Sequence, residues 1–293
     1  MDGVIVVDKP EGWTSHDVVN KMRRLAGTRR IGHLGTLDPM ATGVLPLVLN
    51  RATRLAQFYL KCDKRYEATV RFGYATDTYD REGTPLGPPV DVRLEAAQIE
   101  KLLDDFRGPL IQKPPMISAK KVAGTPAYKL ARRQLPVDLK PVDVMIYSLE
   151  LLACEKDAIR IRVHCSAGTY LRTLAHELGQ RLGCGAFVEH LRRTASGDFT
   201  LSEAHTLAEL EDLASQGRLA QALVPAAQLL PAMPNEVVDT ITAGQIRQGR
   251  DFRVSPFRIA RGAKYVKAIG PDGQLIAIGE AKLPHLYHPI LVL

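Results

Sequence analysis

No stretch of the chain approaches the run of about eighteen apolar residues that a membrane-spanning helix needs. The four cysteines, Cys62, Cys154, Cys165 and Cys184, are far apart and make no C-x-x-C pair. They read as free, mostly buried thiols in a cytosolic chain. The eight histidines fall in no metal-ligand spacing, so no structural metal is expected, even though His164 and Cys165 are neighbours. Asp2, Asp8 and Lys9 stand within the first ten residues, unlike a secretory signal. There is no internal repeat, no low-complexity tract and no alternating strand–helix–strand rhythm.

What is present is apolar residue enough for a packed core, 45% of 293 residues, with room for one large domain or a medium and a small one. The net charge of +7 is unevenly spread. Residues 1–65 carry eleven Lys and Arg against six Asp and Glu, and residues 236–268 carry seven against three. Residues 112–140 carry seven against Asp138 alone. Acidic residues gather instead in 91–105 and 203–212. Basic clustering of this kind points to a polyanionic partner, with a plainly solvated surface as the competing reading.

Periodicity predicts α+β architecture with a mixed, largely antiparallel sheet. Gly3–Val7 reads as a buried strand. Thr14 and Asp17 make a capping box for a helix bearing Val18, Val19, Met22 and Leu25, closed by Gly27. Over 65–73, Tyr66, Ala68, Val70 and Phe72 alternate with Glu67, Thr69 and Arg71; over 158–165, Ile159, Ile161, Val163 and Cys165 alternate with Arg160, Arg162 and His164. Ile99, Leu102, Leu103 and Phe106 form one helical stripe, and Leu171, Leu174, Ala175, Leu178 and Leu182 another. Thr125-Pro126 is expected to start a short helix, and Thr206 with Glu209 to cap one more. A boundary is expected near 231–235. Beyond it, Lys264–Ile269 and Gln274–Ile278 flank Gly270-Pro271-Asp272-Gly273, a hairpin signal.

The most informative stretch is Gly32-His33-Leu34-Gly35-Thr36-Leu37-Asp38-Pro39-Met40-Ala41-Thr42-Gly43. It puts one carboxylate in a loop whose glycines permit positive φ and close backbone approach, and Asp-Pro favours a turn. This loop resembles the catalytic loop of the TruB family of tRNA pseudouridine synthases, G-H-x-G-x-L-D-P-x-A-T-G. The resemblance continues in family order from about residue 3 to 200. It takes in Asp8-Lys9-Pro10-Glu11-Gly12, Lys64-Arg65-Tyr66, Gly73 to Gly83, Gln112-Lys113-Pro114-Pro115, Cys165 to Thr173 and Leu191-Arg192-Arg193-Thr194. Ala167 departs from it, standing where many members carry lysine before the glycine. The tail resembles a PUA-like β-barrel.

The resemblance implies a pseudouridine synthase fold, with residues 1–230 catalytic and 236–293 PUA-like. The implied reaction breaks the C1′–N1 bond of a flipped-out uridine at position 55 in the T loop of tRNA, turns the uracil and forms C1′–C5. It needs no cofactor and no metal. It would take place in the cytoplasm, carried out by a monomer that needs no membrane and no protein partner. Asp38 is the implied catalytic group, as nucleophile or as base toward a sugar proton. Arg172 is its implied partner, and a close arginine should lower the aspartate's pKa. His33, Tyr66, Tyr170 and Leu191 are implied around the nucleotide, with Tyr66 stacking on the base. Lys9, Lys113, Lys120, Lys121, Lys129, Arg132 and Arg133 are the expected RNA contacts, with Lys9 also read as a support of the pocket beside Tyr170 or as a plain surface charge. All of these but Lys9 lie in a basic insertion read as a mobile clamp. The residues alone leave room for plainer roles: sheet core for Tyr66, packing for Leu191, a solvated helix-start residue for Arg172, a structural hydrogen bond for His33. Two other functions remain open: the related guide-RNA-dependent pseudouridine synthases, and an RNA-binding protein without catalysis.

Overall fold

The computed structural model describes all residues except 118–119, 123–124, 127–138 and 258–261. Labels below follow chain order among the described residues. The main sheet runs β12 (Leu223–Pro225), β1 (Gly3–Lys9), β3 (Thr42–Leu49), β10 (Ala186–Ser196), β4 (Lys64–Phe72), β9 (Ala158–Cys165), β8 (Val142–Cys154), β5 (Gly108–Gln112). Short β2 (Ile31–His33) pairs with β3, and β11 (Phe199–Thr200) with β10. Every pairing is antiparallel except β3 with β10, which meet only over Thr42–Gly43 and Arg192–Arg193.

The alternation read from β4 and β9 is the alternation of burial. Tyr66, Ala68, Val70 and Phe72 pack inward with Ile159, Ile161, Val163 and Cys165. Helices α1 (Ser15–Leu25), α3 (Ala96–Asp104) and α4 (Leu171–Arg181) supply Val18, Met22, Ile99, Leu103, Leu174 and Leu178 to the same core. The short helix α2 (Ala56–Tyr59) lies between β3 and β4. Thr14 caps α1 through the expected box with Asp17, and Thr206 caps α5 (Leu207–Ser215) with Glu209. No helix among the described residues is long and apolar enough to cross a membrane.

Strand β1 is buried on both faces, which is why its sequence is an unbroken apolar run rather than an alternating one. Ile5 and Val7 face the helical core. Val4 and Val6 join Val44, Val48, Ala226 and Leu229, and then Ile269, Leu275, Ile278 and Leu291 of the C-terminal sheet. That second sheet runs β13 (Asn235–Val237), β15 (Tyr265–Ile269), β16 (Leu275–Leu283), β17 (Leu286–Val292), β14 (Phe252–Arg253), and α6 (Thr240–Arg247) packs on it. Its curl fits a PUA-like barrel, and β15–β16 is the predicted hairpin.

Two expectations fail. Thr125–Pro126 does not open a helix: the pair forms β7, antiparallel to β6 (Lys121–Val122). Only Cys165 is buried among the four free cysteines; Cys62, Cys154 and Cys184 are half-exposed, because their positions lie at strand ends and loops rather than on an inward-facing register.

Candidate active site

Between β2 and β3 the chain makes the loop 34–41, and its placement follows from four anchors. Gly12 donates its backbone N–H to the Pro39 carbonyl at 2.9 Å. Lys9, with none of its surface exposed, donates to the carbonyls of Pro10, Trp13 and Pro39 at 2.8, 2.6 and 3.1 Å. The buried Ser15 hydroxyl donates to the Leu37 carbonyl at 3.1 Å and accepts the Leu37 N–H at 2.9 Å. Arg193, 1% exposed, donates to Val44, Thr36 and Gly35 carbonyls at 2.7, 3.3 and 3.0 Å, so one side chain ties both arms of the loop to β10. Gly43 permits the approach: its φ is +100°, and a Cβ there would sit 2.2 Å from the Arg193 carbonyl oxygen.

These anchors present Asp38 to Arg172 from the first turn of α4. Arg172 Nε lies 2.9 Å from Asp38 Oδ2, and Nη2 donates to Oδ1 at 3.0 Å, a bidentate pair. The remaining guanidinium contacts go to the carbonyls of Thr78 at 3.2 Å and Ile117 at 2.9 Å, and to Asp80 Oδ2 at 3.5 Å. Arg172 is 4% exposed and is no solvated helix-start residue. The helix start itself is held from the base of the basic insertion: Gln112 Oε1 accepts the Tyr170 N–H at 3.0 Å, and the Thr173 hydroxyl donates to the Lys113 carbonyl at 3.2 Å.

Asp38 opens into a cavity of about 370 Å³ lined by Lys64, Tyr66, Lys120, Tyr170, Arg172, Leu191 and Arg193. A third of its side chain remains exposed there. Its pKa is raised above 3.8, opposite to the expected direction. Crowding by protein is the largest cause, and the Asp80 carboxylate adds to it. Arg172 and Lys9 pull the other way but do not outweigh the loss of water. Burial likewise keeps the Tyr66 phenol protonated above 10.0, with Arg193 opposing. It lowers Lys9 to about 8.

Asp38, Tyr66, Tyr170, Arg172, Leu191 and Lys120 thus converge. Lys120 stands at the cavity and donates to the Lys140 carbonyl at 3.2 Å. Three expected residues sit elsewhere. Lys9 is wholly buried under its three carbonyls, so it steadies the loop and offers no charge to an RNA phosphate. His33 ends β2 outside the cavity lining, its Nδ1 accepting the Gly35 N–H at 3.4 Å; burial and Arg193 lower its pKa from 6.5. Lys113 is exposed just past the end of β5 and does not line the cavity. Lys129, Arg132, Arg133 and the Lys121 side chain lie outside the described residues. Sequence reasoning passed over Asp80, Arg193 and Lys64. All three stand inside quoted motifs, which was the available signal.

Residues 23–171 match the model of the TruB family pseudouridylate synthase N-terminal domain, and residues 172–231 that of the tRNA pseudouridylate synthase B C-terminal domain. The tRNA pseudouridine synthase B of Solibacter usitatus is 60% identical over 293 residues, all of both chains. That of Aquifex aeolicus is 38% identical over 96% of each. Among solved structures, an H/ACA RNP bound to a substrate RNA containing 2′-deoxyuridine aligns with a TM-score of 0.72 at 26% identity, over 99% of this chain and 84% of that one. A Cbf5-Nop10-Gar1 complex aligns with 0.72 at 28%, over 98% and 83%. With two family models covering most of its length and a full-length relative at 60% identity, the chain belongs to the TruB family of pseudouridine synthases.

Proposed function

We propose that this chain isomerises uridine-55 in the T arm of tRNA to pseudouridine, acting alone as a monomer in the cytoplasm without cofactor or metal. The observation that supports it most is the bidentate Arg172–Asp38 pair at a cavity that Tyr66 and Leu191 also line. A flipped uracil entering there stacks on Tyr66 and packs on Leu191, recovering part of the few kcal/mol spent in unstacking it. Its ribose C1′ then faces Asp38. The ionised carboxylate acts either on C1′ or on a sugar proton, and Arg172 holds its lone pairs in a fixed direction. Tyr66, protonated at neutral pH, offers its ring face first. Lys113, Lys120 and the rest of the basic insertion draw the phosphates, and residues 236–293 form a module that adds RNA affinity to the catalytic body of 1–230. The guide-RNA-dependent reading draws on the fold likeness to the H/ACA and Cbf5 structures. The full-length relative carrying a tRNA-synthase name outweighs it.

The test is release of tritium from C5-labelled uridine in a tRNA transcript. Wild type should release it from the T-loop uridine and not when that position is replaced. Asp38→Asn should lower release by at least about four orders of magnitude while still binding tRNA; release at the normal rate would sink the assignment.

A further inference from the structure

Asp80 and the Thr78 carbonyl reach Arg172 from the loop 76–83, and what holds that loop is visible. Asp80 is fixed to its own turn: Oδ1 accepts from the Thr78 hydroxyl at 2.5 Å and the Glu82 N–H at 3.1 Å, and its carbonyl accepts from Thr76 at 2.7 Å. On the side of β10, Val188 donates to the Tyr79 carbonyl at 3.0 Å and accepts from Arg81 at 3.0 Å. On the side of α4 the tie is aromatic. The rings of Tyr79 and His176 stack with centroids 3.9 Å apart and planes 13° from parallel.

Two further facts give that stack a purpose. Tyr79 has φ of +63°, a conformation an L side chain holds only when its surroundings impose it. His176 lies four residues after Arg172, so both side chains leave α4 on one face. His176 Nδ1 is buried with no hydrogen-bond partner among the described residues, so what ties this edge of the ring to the turn is the stack and not a hydrogen bond from Nδ1.

We propose that Tyr79 and His176 are positioning residues: their stack clamps the Thr78–Asp80 turn onto α4 and thereby fixes the direction in which Arg172 presents its guanidinium to Asp38. The proposal rests on the isomerase reading above for its kinetic test and stands without it for its structural one. The stack is a tie between turn and helix that does not pass through Arg172. Without it, the turn can drift on α4, and the two contacts that brace the far side of the guanidinium drift with it. Displacements of about 1 Å are enough to cost up to about a hundredfold in rate when they misdirect a reacting group.

The variants separate ring from strain and from hydrogen bonding. Tyr79→Phe and His176→Phe keep two stacked rings, and their single-turnover rates on tRNA should stay within about twofold of wild type. Tyr79→Gly relieves the positive φ but removes the ring; its rate, and that of His176→Ala, should fall about tenfold or more with tRNA affinity changed less than about threefold. Combining the two losses should cost little beyond either, because they remove one contact. A wild-type rate in Tyr79→Gly, a loss in Tyr79→Phe, or rate and affinity falling in step would overturn the proposal. A second measurement needs no RNA. Hydrogen exchange of the Arg172 Nε–H, assigned by its disappearance in Arg172→Lys, should speed up about tenfold or more in Tyr79→Gly. Unchanged exchange overturns the clamp whatever the substrate proves to be, whereas absence of tritium release by wild type overturns the isomerase reading alone.

Discussion

Two buried lysines, Lys9 of the main sheet and Lys267 of the C-terminal one, invite comparison. Lys9 ends β1, fully buried, its ammonium on three carbonyls, the last being that of Pro39 beside Asp38. Lys267 lies in β15, 3% exposed, and donates to the carbonyls of Ala227 and Leu229 at 3.0 and 2.9 Å. Burial lowers the pKa of both. The chemistry is the same: a cation used as a multidentate donor for backbone oxygens outside the α-helices and strand ladders. What differs is the ownership of the carbonyls. Lys9 holds the loop that carries the reacting carboxylate. Lys267 holds the segment that leads into the C-terminal sheet, helped by Tyr59, whose hydroxyl accepts the Leu230 N–H at 2.7 Å. One buried ammonium serves the site and the other serves the seam.

Substitution should break this parallel in opposite ways. Lys9→Met leaves the Pro39 carbonyl without its side-chain donor, and the expected loss is about tenfold to a hundredfold in single-turnover rate with tRNA affinity nearly intact. A rate that stays normal while only the melting midpoint drops would make Lys9 a stability element like its counterpart. The pH profile sharpens the same side. Asp38 works ionised and its pKa stands above 3.8, so the rate should climb with pH through an apparent pKa higher than that of an ordinary aspartate, and a limb at or below 3.8 would contradict the crowding around it. Lys267→Met should cost about 2 kcal/mol of stability, two carbonyls losing a donor while a buried charge is no longer carried, and should leave the chemical step alone. Equilibrium denaturation against single-turnover kinetics reads both. Removing residues 236–293 outright would blur the comparison, since Ile269, Leu275, Ile278 and Leu291 share one apolar cluster with Val4, Val6, Val44 and Val48. The smallest effect belongs to Lys120, which lines the cavity. Lys120→Ala should reduce the salt slope of tRNA binding by about 0.7, the single-strand figure for one phosphate contact, and an unchanged slope would take Lys120 out of the RNA interface.

Much of this was legible in the chain, and the reasons are local. Strand β4 announces itself because one of its faces is buried and the other is not, and β1 because both are. The capping boxes of α1 and α5 are four-residue patterns that need no tertiary knowledge. Arg172 is marked by its motif alone, since helical periodicity on its own favours the solvated reading that the structure overturns. Lys9, Arg193 and Lys267 were misjudged or passed over for one physical reason. Each is a charge buried against backbone oxygens of residues far away or in irregular segments, and carbonyls leave no mark on side-chain periodicity. The pKa of Asp38 failed similarly: the arginine could be named from sequence, but the crowding that outweighs it is a property of the assembled loop.

The double burial of β1 has a consequence for how the molecule is made. Residues 3–9 pair with 43–49, while the other edge of residues 3–5 pairs with 223–225 and one face of the strand is covered by residues 269–291. A chain emerging from the ribosome therefore leaves Val4 and Val6 without part of their cover until residues 269–291 have been made. Until then the first strand offers a partly bare apolar face, of the kind that makes an unfinished chain prone to association.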